Sequence, residues 1–255
     1  MNKTVLITGA SSGIGKMTAI YFHEMGWNVA ASMRSPEKEK DLVEFEKIKC
    51  IALDVLDQKT IESSISKTIE AFGGIDVLVN CAGFDLVGPF ESTQPEKIKA
   101  QFDTNVFGAM NVIRAVLPHF RSRHHGVIIN LTLGEGRLSL PLNSVHHASK
   151  AALQGFSEGL QLELRPFDIK IKTVEPTAVT TDFYGRSQDV ADSRDQSTYR
   201  EYVDLTMPNL QFLGVTGIEP GVVAAKIYKA ATDSSWRLRY PIGSGASILY
   251  WLKSK

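Results

Sequence analysis

Apolar positions along the chain fall into two alternating kinds of segment. Residues 4–8 (TVLIT) form a β-rich run ending at Gly9, and residues 13–25 then carry Ile14, Met17, Ile20 and Tyr21 at helical spacing until Gly26. Strand-length apolar runs recur at 28–32, 48–53, 77–80, 127–131 and 169–175, and helix-period segments separate them at 58–72, 95–123 and 144–165. Ile61, Ile65 and Ile69 share one helical stripe, and Thr93 stands where it would cap the 95–123 helix. Strands that are apolar throughout, separated by helices, predict a parallel sheet covered on both faces. Over 176–216 the pattern breaks, with Phe183, Tyr184, Tyr199, Tyr202 and Phe212 set among polar residues. That is too long for a plain connection and predicts a lid or substrate-loop insertion. A helix at 220–231 and a short run at 237–240 close a single α/β domain over 1–255.

Composition narrows the function classes. With 255 residues, 43% of them hydrophobic, the chain can bury a core without disulfide or metal staples. Its 28 basic and 28 acidic residues cancel, so no nucleic acid and no anionic membrane is expected as a partner. Cys50 and Cys81 lie inside apolar runs and read as reduced, buried thiols. Met1 to Thr4 lead straight into the first strand without a signal-peptide layout, and no apolar run approaches the roughly 18 residues of a spanning helix. The expectation is a cytoplasmic protein without stable membrane insertion. The apolar run 246–252 (ASILYWL) reads as a packed tail or a subunit or lid contact.

The first strand is followed by Thr8-Gly9-Ala10-Ser11-Ser12-Gly13-Ile14-Gly15 and then a helix. Glycines there permit a tight turn and close backbone approach to a pyrophosphate, and the helix N-terminus supplies N–H groups and positive dipole. About 20 residues on, an NAD site carries a carboxylate for the ribose hydroxyls. This chain has Met33-Arg34-Ser35 instead. A guanidinium in that place suits a ribose 2′-phosphate, so NADP(H) is favoured over NAD(H).

These motifs, with Asp54-Val55 after the third strand, Asn80-Cys81-Ala82-Gly83 after the fourth, Asn105 and Ala148-Ser149-Lys150, are similar to those of the short-chain dehydrogenase/reductase family. The likeness is collinear over essentially the whole chain. It implies a Rossmann-like doubly wound parallel sheet flanked by helices, and hydride transfer between a nicotinamide cofactor and a carbonyl or alcohol. By resemblance, Gly9, Ser11, Ser12, Gly13, Ile14 and Gly15 hold the cofactor together with Arg34 and Ser35. Asp54 and Val55 meet the adenine, and Asn80, Ala82 and Gly83 shape the strand end. Lys150, Pro176 and Thr181 complete the cofactor site, Thr181 approaching the nicotinamide carboxamide. The family's Pro-Gly is here Pro176-Thr177. A homodimer or homotetramer through the long helices is also implied.

The catalytic end departs from that pattern. Family members use Asn, Ser, Tyr and Lys, the Tyr four residues before the Lys and the Ser thirteen before the Tyr. Counting back from Lys150 places His146 at the tyrosine position and Leu133 at the serine position. Asn130 and Gly136 hold the register. Leu133 donates nothing, Thr132 is expected on the opposite strand face if the strand continues, and Ser139 and Ser144 lack anything to position them. His146 and Lys150 share a helical face, so the lysine charge keeps the imidazole neutral near pH 7. A neutral imidazole still polarises a carbonyl, as in triosephosphate isomerase. Three readings stay open: an oxidoreductase using His146, Lys150 and Asn105; a non-catalytic NADP(H)-binding sensor or scaffold; and a lyase or isomerase using His146 for acid–base work. Leu133, Leu138, Leu140 and Phe84 suggest a small apolar substrate. His119, His124 and His125, with Arg121 and Arg123, complement a helix dipole, and no metal site is expected.

Overall fold

The computed structural model describes residues 2–134, 140–180, 188–190 and 198–243. Strands β1 (Thr4–Thr8), β2 (Asn28–Met33), β3 (Ile48–Ala52) and β4 (Val77–Asn80) alternate with helices α1 (Gly13–Glu24) and α2 (Gln58–Phe72). A short strand β5 (Asp85–Val87) precedes α3 (Pro95–Phe102) and α4 (Ala109–Arg123). Then come β6 (Gly126–Leu131), α5 (Ser144–Leu164), β7 (Ile169–Pro176), β8 (Gln188–Val190), α6 (Arg200–Val215), α7 (Pro220–Thr232) and β9 (Arg239–Ile242). The main sheet has seven parallel strands in the order β3-β2-β1-β4-β6-β7-β9. Strand order reverses beside β1, between the halves that run to β3 and to β9. A ligand crevice forms at such a reversal, beyond the carboxyl ends of the strands.

The period of two along β1 divides the core. Val5 and Ile7 pack with Phe22 of α1 and Ile227 of α7, whereas Leu6 faces Ile61 of α2 and Ile113, Val116 and Phe120 of α4. β1, β4 and β6 are buried at every position, which is why they read as unbroken apolar runs. Burying one such side chain is worth about 1.5–3 kcal/mol.

Several sequence expectations need correction. The 95–123 segment is two α-helices joined by a π-helical turn, Asp103–Gly108, which carries Asn105. Thr93 does not cap it: Gln94 is the N-cap, and the Thr93 hydroxyl donates to the Pro89 carbonyl at 2.8 Å. The fifth helix stops at Leu164, because Pro166 lies within the 3₁₀ turn Arg165–Phe167 that follows. The last strand is Arg239–Ile242 rather than 237–240. Among the described residues of 176–216 the structure holds two unforeseen elements. β8 pairs in parallel with β5, and α6 runs through Pro208. His119 is an acceptor rather than a helix-end cation: its Nε2 accepts from the Ile75 N–H at 3.0 Å, and burial lowers its pKa. Both cysteines are free. Among the described residues no helix is long and apolar enough to cross a membrane. Phe183, Tyr184 and 246–252 lie outside the described residues.

Candidate active site

A cleft of about 540 Å³ opens beyond the carboxyl ends of β1, β4, β6 and β7. At one end lie Gly9, Ser11, Ser12, Gly13, Ile14 and Gly15. Gly9 has φ +68°, and a Cβ there would sit 2.8 Å from the Ala82 Cα, so the turn and the β4 end fit only without a side chain. A Cβ on Gly15 would overlap the Gly9 carbonyl oxygen. The Thr8 hydroxyl accepts from the N–H groups of Cys81 and Ala82 at 3.2 and 3.1 Å, pinning the end of β4 to β1. Ser12, the N-cap of α1, is extended and makes no capping bond, so its side chain does not compete with an anion for the first-turn N–H groups. Asp54, Val55, Ala82 and Gly83 line the same cleft, and Asp54 Oδ1 accepts from the Leu56 N–H at 2.9 Å.

Beside this end lies a pocket of about 490 Å³ lined by Ser11, Lys16, Arg34, Ser35, Lys38 and Lys40, with Glu39 and Asp41. Lys16 Nζ occupies both carboxylates, at 2.9 Å from Glu39 and 2.6 Å from Asp41. The Lys16 ammonium and the N–H groups of Leu42 and Asp41 lower the Glu39 pKa despite its burial.

The other end of the cleft is built by α5 and the loop after β4. His146 and Lys150, one turn apart, both line it. Lys150 Nζ donates to the Leu131 carbonyl at 3.0 Å, and burial lowers its pKa to about 8. Burial also lowers the His146 pKa to about 3, helped by the charges of Lys150 and His147, so the ring is neutral. His146 Nδ1 lies 3.3 Å from Oδ1 of Asp85, a carboxylate as buried as the imidazole. Asn143 Nδ2 donates to both Asp85 oxygens, at 3.1 and 3.0 Å.

The short chain dehydrogenase family model matches residues 3–191. The chain belongs to the short-chain dehydrogenase family. It is 39% identical over 226 residues to an uncharacterized oxidoreductase of Schizosaccharomyces pombe, covering 88% of this chain and 93% of that one. It is 32% identical to the 3-ketodihydrosphingosine reductase of Bacteroides thetaiotaomicron, covering 98% and 91%. The solved structure of ElxO with NADP bound aligns at a TM-score of 0.81 and 27% identity, covering 97% and 100%.

Measured against the family's catalytic set, the site divides. Lys150 keeps its place in the cleft, with His146 beside it. Asn105 does not line the cleft. It accepts from the Phe84 N–H at 3.1 Å and donates to the Phe84 carbonyl at 3.0 Å and to Ser149 Oγ at 3.3 Å. Asn80 is likewise turned inward, donating to Asn130 Oδ1 at 2.9 Å, while Asn130 donates to Ser157 Oγ at 2.9 Å. That ladder ties β4, β6 and α5 together.

Thr132 and Leu133 both line the cleft, contrary to the expected alternation, because β6 ends at Leu131. Ser144 is exposed at the head of α5. Pro176, Thr177 and Val179 form the wall opposite, and the Pro176 carbonyl accepts from the Gly134 N–H at 2.8 Å. Gly136, Leu138, Ser139 and Thr181 lie outside the described residues. Two residues escaped sequence reasoning. Asp85 and Asn143 meet only in the fold, and the one available signal was a carboxylate in an apolar stretch just past Gly83.

Proposed function

We propose that this chain is an NADP(H)-dependent oxidoreductase that interconverts a carbonyl and an alcohol on a small apolar molecule, with His146 handling the proton. The observation that carries this reading is the continuity of one cleft from the glycine turn to the His146–Lys150 pair. The residues present fit a dinucleotide. The uncapped α1 N-terminus suits its pyrophosphate, and the pocket around Arg34, Ser35, Lys38 and Lys40 suits a 2′-phosphate. The NADP-bound state of ElxO supports the same choice. Thr181 is proposed at the carboxamide end. Leu131, Leu133, Leu140, Phe84 and Val179 give the chemical end of the cleft an apolar wall, which favours an apolar substrate. Exposed Phe107 and Leu162 support assembly into a homodimer or homotetramer.

Bound dinucleotide supplies the hydride donor or acceptor. The chain's own residues hold the substrate oxygen against His146, exclude water with the leucine wall, and exchange the proton. Burial, with the Lys150 charge beside it, keeps the imidazole from becoming a resting cation. Leu133 brings no oxyanion donor, which forgoes roughly 10²–10³ in rate. Asn105 acts as a positioning residue, through the peptide of Phe84.

His146→Ala tests this. Carbonyl reduction across a ketone panel should fall by about 10²–10⁴ with NADPH affinity nearly intact. A wild-type protein that binds NADPH but turns over nothing, unchanged by the substitution, would instead make the chain a cofactor sensor.

A further inference from the structure

We infer that Asp85 is a positioning residue for His146: it accepts the Nδ1 proton of the imidazole and leaves the Nε2 position to exchange protons with the substrate. The inference rests on the oxidoreductase reading and deepens it. The geometry has three parts. The carboxylate stands 3.3 Å from Nδ1, on the side of the ring set by β5, an ion-pair contact rather than an aligned hydrogen bond. Both its oxygens accept from the one Asn143 Nδ2, so it cannot swing away without losing that donor. Its backbone is fixed from two directions. The Asn105 side chain clamps the preceding peptide of Phe84, and β8 pairs Asp189 to Leu86 and Gln188 to Asp85. The same carboxylate also supports the charge of the buried Lys150. β5 is otherwise apolar, and a buried carboxylate is costly unless its charge is matched.

The chemical consequence follows from imidazole tautomers. With the proton on Nδ1, Nε2 presents a lone pair, so the neutral ring is a base. In alcohol oxidation the O–H bond breaks, its proton passes to Nε2, and hydride leaves the carbinol carbon for the oxidised dinucleotide of the proposed function. The alcohol is oxidised, the cofactor reduced, and the imidazolium is matched by the Asp85 carboxylate. Reduction runs the same steps backwards only after Nε2 has taken a proton from solvent, which it then passes to the forming alkoxide as hydride reaches the carbonyl carbon. The groups facing the ring are Asp85 from β5, Lys150 and His147 from α5, and the Phe84 carbonyl. Lys150 and His147 oppose protonation, and the Phe84 carbonyl favours it.

The decisive experiment is ¹⁵N NMR of histidine-labelled full-length protein, the His146 signals being those lost in His146→Gln. The expected wild-type spectrum has a protonated Nδ1 and an unprotonated Nε2, and Asp85→Asn should shift or mix that tautomer. An Nε2–H tautomer in wild type, or one untouched by Asp85→Asn, overturns the inference. The wild-type measurement stands even if a variant fails to fold. In kinetics, Asp85→Asn should lower kcat for alcohol oxidation by about 10²-fold or more with little change in KM. Asn143→Ala, which unfastens the carboxylate, should give a smaller loss in kcat. Undiminished turnover in Asp85→Asn would sink the Asp85 role and leave the oxidoreductase reading intact. The expected tautomer in a wild-type protein without turnover would do the reverse.

Discussion

His146 and Lys150 were legible in the chain because both lie on one helix and their spacing fixes their neighbourhood. Asp85 was not, because its partners His146 and Asn143 come from a segment about 60 residues away that only the sheet's winding brings near. The buried imidazole has a consequence for stability. Its folded pKa of about 3 lies below the free value near 6.5, so between them the unfolded chain takes up a proton that the folded chain refuses. Stability is therefore whole above about pH 6.5 and falls as the solution is acidified toward pH 3, by up to about 1.4 kcal/mol per pH unit in mid-window. Thermal melts between pH 7 and pH 5 should show this fall, and His146→Gln should flatten it. Equal slopes in both proteins would mean that the ring is protonated in the fold.

At the scale of elements, the alternating pattern made the parallel sheet readable, since burial on both faces forces continuous apolar strands. What it could not show were elements whose stability comes from a single partner. β5 and β8 are three residues each and exist by pairing with one another. α6 carries Pro208 in its interior and leaves Tyr202, Leu205 and Phe212 exposed, so no clear apolar stripe marks it. The π turn that carries Asn105 preserves helical periodicity on either side and so left no trace in the pattern. It aims the Asn105 amide at both polar groups of the Phe84 peptide. Asn105→Ala removes these bonds in a buried setting and should cost about 1–3 kcal/mol in urea unfolding. Because Phe84 leads directly into Asp85, activity should fall by more than the stability loss accounts for. Unchanged activity in folded Asn105→Ala would separate the clamp from the chemistry.

Over the whole molecule, one cleft runs from the glycine turn to the His146–Lys150 pair, which the proposed function divides into a nucleotide half and a reactive half. The short, local motifs named in the sequence place Gly9, Ser11 to Gly15, Arg34, Asp54, Val55, Ala82 and Gly83 along one cleft. Asn80 was the exception: its residue type suited the cofactor wall, but its side chain is spent on Asn130. Under the proposed function, Arg34 and its lysine neighbours would set cofactor choice within that half alone. Fluorescence titration should find NADPH bound more tightly than NADH, and Arg34→Ala should narrow the difference by about tenfold or more. Equal affinities in wild type would contradict the 2′-phosphate assignment. The reactive half was readable as a departure from its family but not as a working site, since its new carboxylate is invisible without the fold. The most direct check of the whole account is a crystal structure of the chain with NADP⁺ bound. The account predicts the nicotinamide beside His146, with a water or small-molecule oxygen within hydrogen-bonding distance of the imidazole. An imidazole turned away, with another side-chain hydroxyl such as that of Thr132 over the nicotinamide, would contradict it.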